Sequence, residues 1–213
     1  TAELVKIMLA GEKTDYDGET VFSRGYRQAP MENSPQVYLA ALRPKMIEMA
    51  AEVGDGVIFN LWPKAALPKM MEHVAIGAKA AGKDPAGVEI VNRAMVLCTD
   101  DKEYGRNLFR AAFGPYYATP VYNNFLAWAG YTEAAAQIAE GWAEKDRNKT
   151  ASAMSDEMID EIAIIGDEGE IQARIQADAD GGVDTHIIAP LAGNKEDVDR
   201  TFAAFTGTAF QFA

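Results

Sequence analysis

"VYLAALRPKM", residues 37–46, is the stretch whose reading decides the fold class. A run of β-branched, aromatic and small apolar residues breaks at Arg43-Pro44 and passes at once into a helical pattern. Leu42, Met46, Met49 and Val53 recur at spacings of four, three and four, which is one face of a helix. Gly54-Asp55-Gly56 closes that helix, and "GVIFN", residues 56–60, is the next strand. Strands that alternate with helices imply a parallel sheet with right-handed crossovers.

The same alternation continues downstream. A second helix runs from Leu67 to Ala81, with Pro68 in its first turn and Gly82 as its cap. "VEIVNRAMVLCT", 88–99, is a longer strand, and Asp100-Asp101 caps the helix after it. Residues 100–165 read as a helical insertion, broken at Gly114-Pro115, Pro120, Gly130 and around Asn148. Ser155-Asp156-Glu157 starts a further helix and Gly166-Asp167-Glu168 interrupts the pattern. Residues 166–213 form a last β/α unit: a helix with Ile171 and Ile175 on one face, the strand "THIIAP" at 185–190, and the helix "KEDVDRTFAAF" at 195–205. Upstream, residues 1–36 give a short helix ending near Gly11, a hairpin around the turn dipeptide Asp17-Gly18, and a Pro-rich loop. Residues 37–99 hold the first three strands, and the whole chain reads as one domain.

The bulk numbers exclude several functions. With 213 residues and 48% hydrophobic side chains, the chain can bury a substantial core. A net charge of −12 with no basic patch argues against nucleic acid and anionic membranes as partners. No apolar run approaches the roughly 20 residues a membrane span needs. A single cysteine, Cys98, rules out an internal disulfide and fits a cytoplasmic protein. No Glu-x-x-His pair or carboxylate cluster at ligand spacing is present, so no metal site is expected. His73 lies on a helix and His186 at the start of a strand, both read as structural. Phosphate fingerprints such as GxGxxG are absent, which favours part of a (β/α) barrel over a nucleotide-binding doubly wound sheet.

Four stretches in one order carry a family resemblance: "PQVYLAALRPKMIEMAAEVGDGVIFN", "HVAIGAKAAGKDPAGVEIVNR", "CTDDKEYGRNLFRAAFGPYY" and "MSDEMIDEIAIIGDEGEIQARIQADADGGVDTHIIAP". Together they resemble the luciferase-like monooxygenase superfamily, and within it the branch of oxidoreductases that depend on coenzyme F420. The resemblance implies an α/β fold of the (β/α)8 TIM-barrel family, with this chain carrying about the last four β/α units plus the insertion. It makes the strand ending at Ala40-Ala41 the fifth of the barrel. The first four units, and much of the flavin pocket with them, are then expected outside this chain.

The implied cofactor is coenzyme F420, with FMN as the alternative, and the implied reaction passes hydride between the reduced cofactor and an organic substrate. By resemblance, Ala40, Ala41, Leu42, Arg43 and Pro44 lie beside the cofactor's ribityl and phosphate portion. Small side chains there admit the ligand, and the following helix offers free N–H groups to an anion. Relatives often have glycine where this chain has Arg43, and the arginine reads equally as a solvated helix-start residue. Asn60 and Arg93 are the candidate substrate-pocket residues. Asn60 has a turn-capping alternative, and Asn92-Arg93 reads equally as a buried structural pair. The aromatic stretch 113–128 reads as a pocket wall or as packing of the insertion. The residue types single out no catalytic side chain. The competing function is an inactive half-barrel that assembles through its open strand edges, as a homo-oligomer or with the missing half.

Overall fold

The computed structural model describes residues 1–213. Helix α1 (Ala2–Leu9) leads into the antiparallel pair β1 (Asp15–Asp17) and β2 (Phe22–Arg24). The parallel part begins with β3 (Tyr38–Ala40), α2 (Pro44–Val53), β4 (Gly56–Asn60), α3 (Leu67–Ala80) and β5 (Glu89–Cys98). Five helices follow: α4 (Lys102–Tyr117), α5 (Pro120–Trp128), α6 (Thr132–Ala143), α7 (Arg147–Ser152) and α8 (Asp156–Ile162). The chain ends with β6 (Ile164–Gly166), α9 (Glu168–Asp180), β7 (Thr185–Pro190) and α10 (Lys195–Ala203).

Strand β5 is the hub of the sheet because its length gives it room for three partners. Its Glu89–Arg93 stretch pairs with β4, Val91–Val96 with β7, and Val96–Cys98 with β6, all parallel. Strand β3 pairs only with β4 and β7 only with β5, so the sheet is open at both ends.

Alternation sends successive side chains to opposite faces. One face of β3, β4 and β5 meets α2 and α3 in a core that includes Val57, Phe59, Ile90, Ile47, Met70 and Val74. Farther along β5, Ala94, Val96 and Cys98 meet Ile171 and Ile175 of α9. Each fully buried large apolar side chain contributes about 1.5–3 kcal/mol. The insertion helices form a core of their own, with Phe109, Tyr117, Ile138 and Met158 against Met95 and Leu97.

The insertion differs from the sequence expectation in three places. Ile164–Gly166, expected at the end of the helical insertion and the start of the next unit, is a strand held to β5, with the Thr99 N–H donating to the Gly166 carbonyl at 2.8 Å. The apolar run Ile162–Ile165 continues the helix pattern on paper, but Ala163 is already extended (φ −96°, ψ 149°). Helix α4 runs through Gly114-Pro115 without a break. Proline there lies in the last turn, where it forfeits a single helical hydrogen bond. The later break falls at Lys145-Asp146 and not around Asn148: Lys145 has φ +59°, and the Asp146 carboxylate caps α7 by accepting from the Lys149 N–H.

Candidate functional site

In a parallel α/β sheet, ligands gather at the C-terminal ends of the strands. At the end of β3 the structure places Ala40 exposed on the face away from α2 and α3, while Ala41 is buried in the core beneath those helices. The Ala41 N–H still donates to the Ile58 carbonyl at 3.1 Å, so the strand hands over to the helix within three residues. Leu42 packs on the same core. Arg43 is extended (φ −112°, ψ 158°), exposed and without an ion-pair partner, and Pro44 opens α2 with the φ a first turn requires. No side chain caps this helix. Its first-turn N–H groups therefore remain free beside an unpaired guanidinium and a methyl-sized side chain, a combination that suits an anionic group.

Asn60 and Arg93 are register partners on β4 and β5, and Ile187 of β7 continues the row. An Arg93 guanidinium nitrogen donates to Asn60 Oδ1 at 3.4 Å and lies 3.2 Å from the Met95 sulfur. Asn60 Nδ2 donates to the Tyr122 hydroxyl at 3.2 Å. The bond from Arg93 fixes which end of the amide faces the tyrosine. The site thus contains Tyr122, which sequence reasoning left inside an undifferentiated aromatic stretch. Asn60 bonds a side chain 62 positions away and caps no turn. The turn after it is made by Leu61, buried at φ +53°, whose carbonyl accepts from the buried Tyr117 hydroxyl at 2.9 Å. Left-handed backbone at a branched side chain costs about 1–2 kcal/mol.

Asn92 and Arg93 are not a pair. Strand alternation puts Arg93 on the open face and buries Asn92 on the helix side, where its carbonyl oxygen accepts from Trp62 Nε1 at 3.0 Å. Arg93 also lies five residues short of the end of β5, so it stands within the open face and below its rim.

Two rows farther from the rim, the Tyr38 hydroxyl donates to the Glu89 carboxylate, which also accepts from Thr185 Oγ1 at 2.7 Å. The tyrosine crosses Gly56 to get there: a Cβ on Gly56 would lie 2.6 Å from the Tyr38 ring. Bonding to Glu89 pushes the Tyr38 hydroxyl pKa up to about 12, and the same bond holds the Glu89 carboxyl below its usual range. This belt ties three strands together and carries no free acid or base at neutral pH.

His73 lies on α3 and shares a hydrogen bond of 2.9 Å with Glu48 of α2. His186 faces the helix side with both ring nitrogens unpartnered. No three His, Cys, Asp or Glu side chains gather as metal ligands, and no helix is long and apolar enough to cross a membrane.

The sequence model of luciferase-like monooxygenases matches residues 1–185. The chain belongs to the luciferase-like monooxygenase family. Its similarity to curated proteins of this family includes 31% identity over 196 residues with a 5,10-methylenetetrahydromethanopterin reductase from Methanolobus tindarius, covering 90% of this chain. A reductase of the same name from Archaeoglobus fulgidus is 26% identical over 200 residues. The chain spans 60% of the length of each. Among solved structures, the coenzyme F420 dependent tetrahydromethanopterin reductase from Methanopyrus kandleri superposes with a TM-score of 0.77 at 20% identity, over 98% of this chain and 61% of that one. An F420-dependent secondary alcohol dehydrogenase gives 0.72 at 13% identity, over 99% and 60%. The open sheet with its helix layer is thus the luciferase-like α/β fold, matched over about three fifths of those chains.

Proposed function

We propose that this chain is part of an oxidoreductase that works with coenzyme F420, or with FMN as the alternative, and passes hydride between the reduced cofactor and a small organic substrate. The observation that carries this reading is the 31% identity to a 5,10-methylenetetrahydromethanopterin reductase across 90% of the chain. The strand-to-helix turn at Ala40–Pro44 fits the anionic portion of such a cofactor: Ala40 leaves room for it, α2 presents uncapped N–H groups, and Arg43 has no competing carboxylate. When bound, the cofactor supplies the hydride chemistry. The chain's own work is positional. Arg43 and the first turn of α2 hold the anion, while Arg93 and Asn60 set the hydrogen-bonding edge against which a polar substrate group aligns.

Titration of the chain with F420 and with FMN, followed by cofactor fluorescence, tests the reading. Saturable binding that weakens about tenfold in Arg43→Gln, as expected for one lost charge-assisted contact, supports it. No binding of either cofactor, both by the chain alone and with the first four β/α units supplied in trans, defeats it. Tetrahydromethanopterin carrying a methylene group is the first substrate to test, given the relatives' names.

A second reading, a module that assembles through its open sheet, is favoured by the exposed row on the sheet face, where Ile187 is 46% exposed, and by the open edges of β3 and β7. Sedimentation separates the two readings, because a monodisperse monomer that binds cofactor leaves nothing for the second to explain. A cytoplasmic location belongs to the same proposal and accords with one buried, unpaired cysteine.

A further inference from the structure

The helical insertion carries a cleft of about 460 Å³ between α4, the end of α6 and α7. It shares no residue with the strand-end site. Neighbouring hollows extend it on either side, one reached past Arg110 and Asn148, the other past Trp142 and Arg147. The volume lies within the range of small-molecule sites, roughly 300–1,000 Å³.

The lining has a definite chemistry. Trp142 is 47% exposed and stacks on no other ring, whereas Trp62 is buried and Trp128 is stacked on Phe125. Arg147, in the cleft, and Lys145, in the hollow that adjoins it past Trp142, have no acidic partner within 4 Å and make no side-chain hydrogen bond, in a chain of net charge −12. The acids at the cleft are already engaged. Asp156 is paired with Arg106 and Arg110, and Asp146 accepts from the Lys149 N–H as the cap of α7. Arg110 is held in turn by the Met154 carbonyl and by Asn107, so it forms a fixed wall. An exposed indole beside two cations that lack ion-pair partners favours a ligand with a flat ring and a negative charge.

We propose that this cleft binds a flat-ringed organic anion, its ring against Trp142 and its carboxylate or phosphate on Arg147 and Lys145. The site is separate from the proposed cofactor site and does not depend on it.

The test titrates the 213-residue chain with AMP and with phthalate, reading tryptophan fluorescence and binding heat, with adenosine and benzyl alcohol as neutral counterparts. The expected result is a saturable quench by at least one anion, with AMP alone assigning a phosphate ligand and phthalate alone a carboxylate. Binding should fall about tenfold or more in Arg147→Gln, the loss of one charge-assisted contact, and the quench should vanish in Trp142→Phe. Circular dichroism should show both variants folded, because neither side chain makes a hydrogen bond or an ion pair. Lys145→Gln gives an independent reading of the same charge dependence. The proposal is overturned if neither anion binds, if neutral counterparts bind equally, if Arg147→Gln and Lys145→Gln bind as wild type, or if the quench persists in Trp142→Phe.

Discussion

Helices α2 and α3 cross so closely at Gly77 that a Cβ there would lie 1.9 Å from the Glu48 carbonyl oxygen and 2.7 Å from its carbon. Both obstacles are backbone, so no side chain can rotate out of the way. To move from 1.9 Å to the 3.4 Å at which ordinary contact begins, the helices must part by about 1.5 Å. Overpacking of this kind costs about 1–3 kcal/mol, and a backbone obstacle places Gly77→Ala at the upper end. Alanine returns about 1 kcal/mol through its better helix propensity. The net loss is therefore about 2 kcal/mol, which in a chain of this size lowers Tm by roughly 4–8 °C.

Thermal and urea unfolding followed by circular dichroism measure the loss directly. The substitution has a second readout, because α2 begins at Arg43-Pro44, and parting the two helices moves that turn. Cofactor affinity should fall along with stability. A Gly77→Ala variant with wild-type or higher Tm would refute the reasoning, since propensity alone would then be acting and the helices would not be in backbone contact.

Other perturbations probe other links. Trp62→Phe leaves the buried Asn92 carbonyl oxygen without its only donor and should cost about 1–3 kcal/mol in urea unfolding; converting Asn92 to Leu in the same variant should recover part of that loss. His186 is held below its ordinary pKa of 6.5 by burial, with Asp178 opposing, while Phe212 stacks on its ring. The unfolded chain then takes up more protons at this position, so its contribution to stability is full above about pH 6.5 and is lost as pH falls through the folded value. Unfolding midpoints measured from about pH 7.5 to 5 should fall less steeply in His186→Phe than in wild type, and parallel profiles would show that His186 is not responsible. Asp167→Ala removes the carboxylate that accepts from the Glu170 N–H at the start of α9, leaving only the backbone N–H half of the capping box, and should cost about 1 kcal/mol.

The β/α alternation was legible because it rests on local chemistry. Strand cores, helix faces, the positive-φ glycine at Gly82 and the helix starts at Asp101 and Ser155 follow from residue types a few positions apart. Two elements misled for the same local reason. Ile164–Gly166 prolongs an apolar helical run, and only the free edge of β5 beyond Val96 makes it a strand. Gly114-Pro115 looks like a break, yet its place in the last turn of α4 makes it cheap.

The opposite facing of Asn92 and Arg93 was present in the two-residue strand period. Nothing in the period told which face would bury its residue, because that depends on which side the helices pack. The turn at Ala40–Pro44 was readable as a junction of small residues before a helix, and its free N–H groups follow from that local chemistry. Tyr122 was beyond reach, since its bond to Asn60 spans 62 positions and exists only because α5 folds back over the end of β4. By itself, the sequence determined the strand–helix alternation, several of the caps and the family to which the chain belongs. The tertiary structure alone decided which side chains share a face and meet, because long-range contact depends on packing directions that no local pattern encodes.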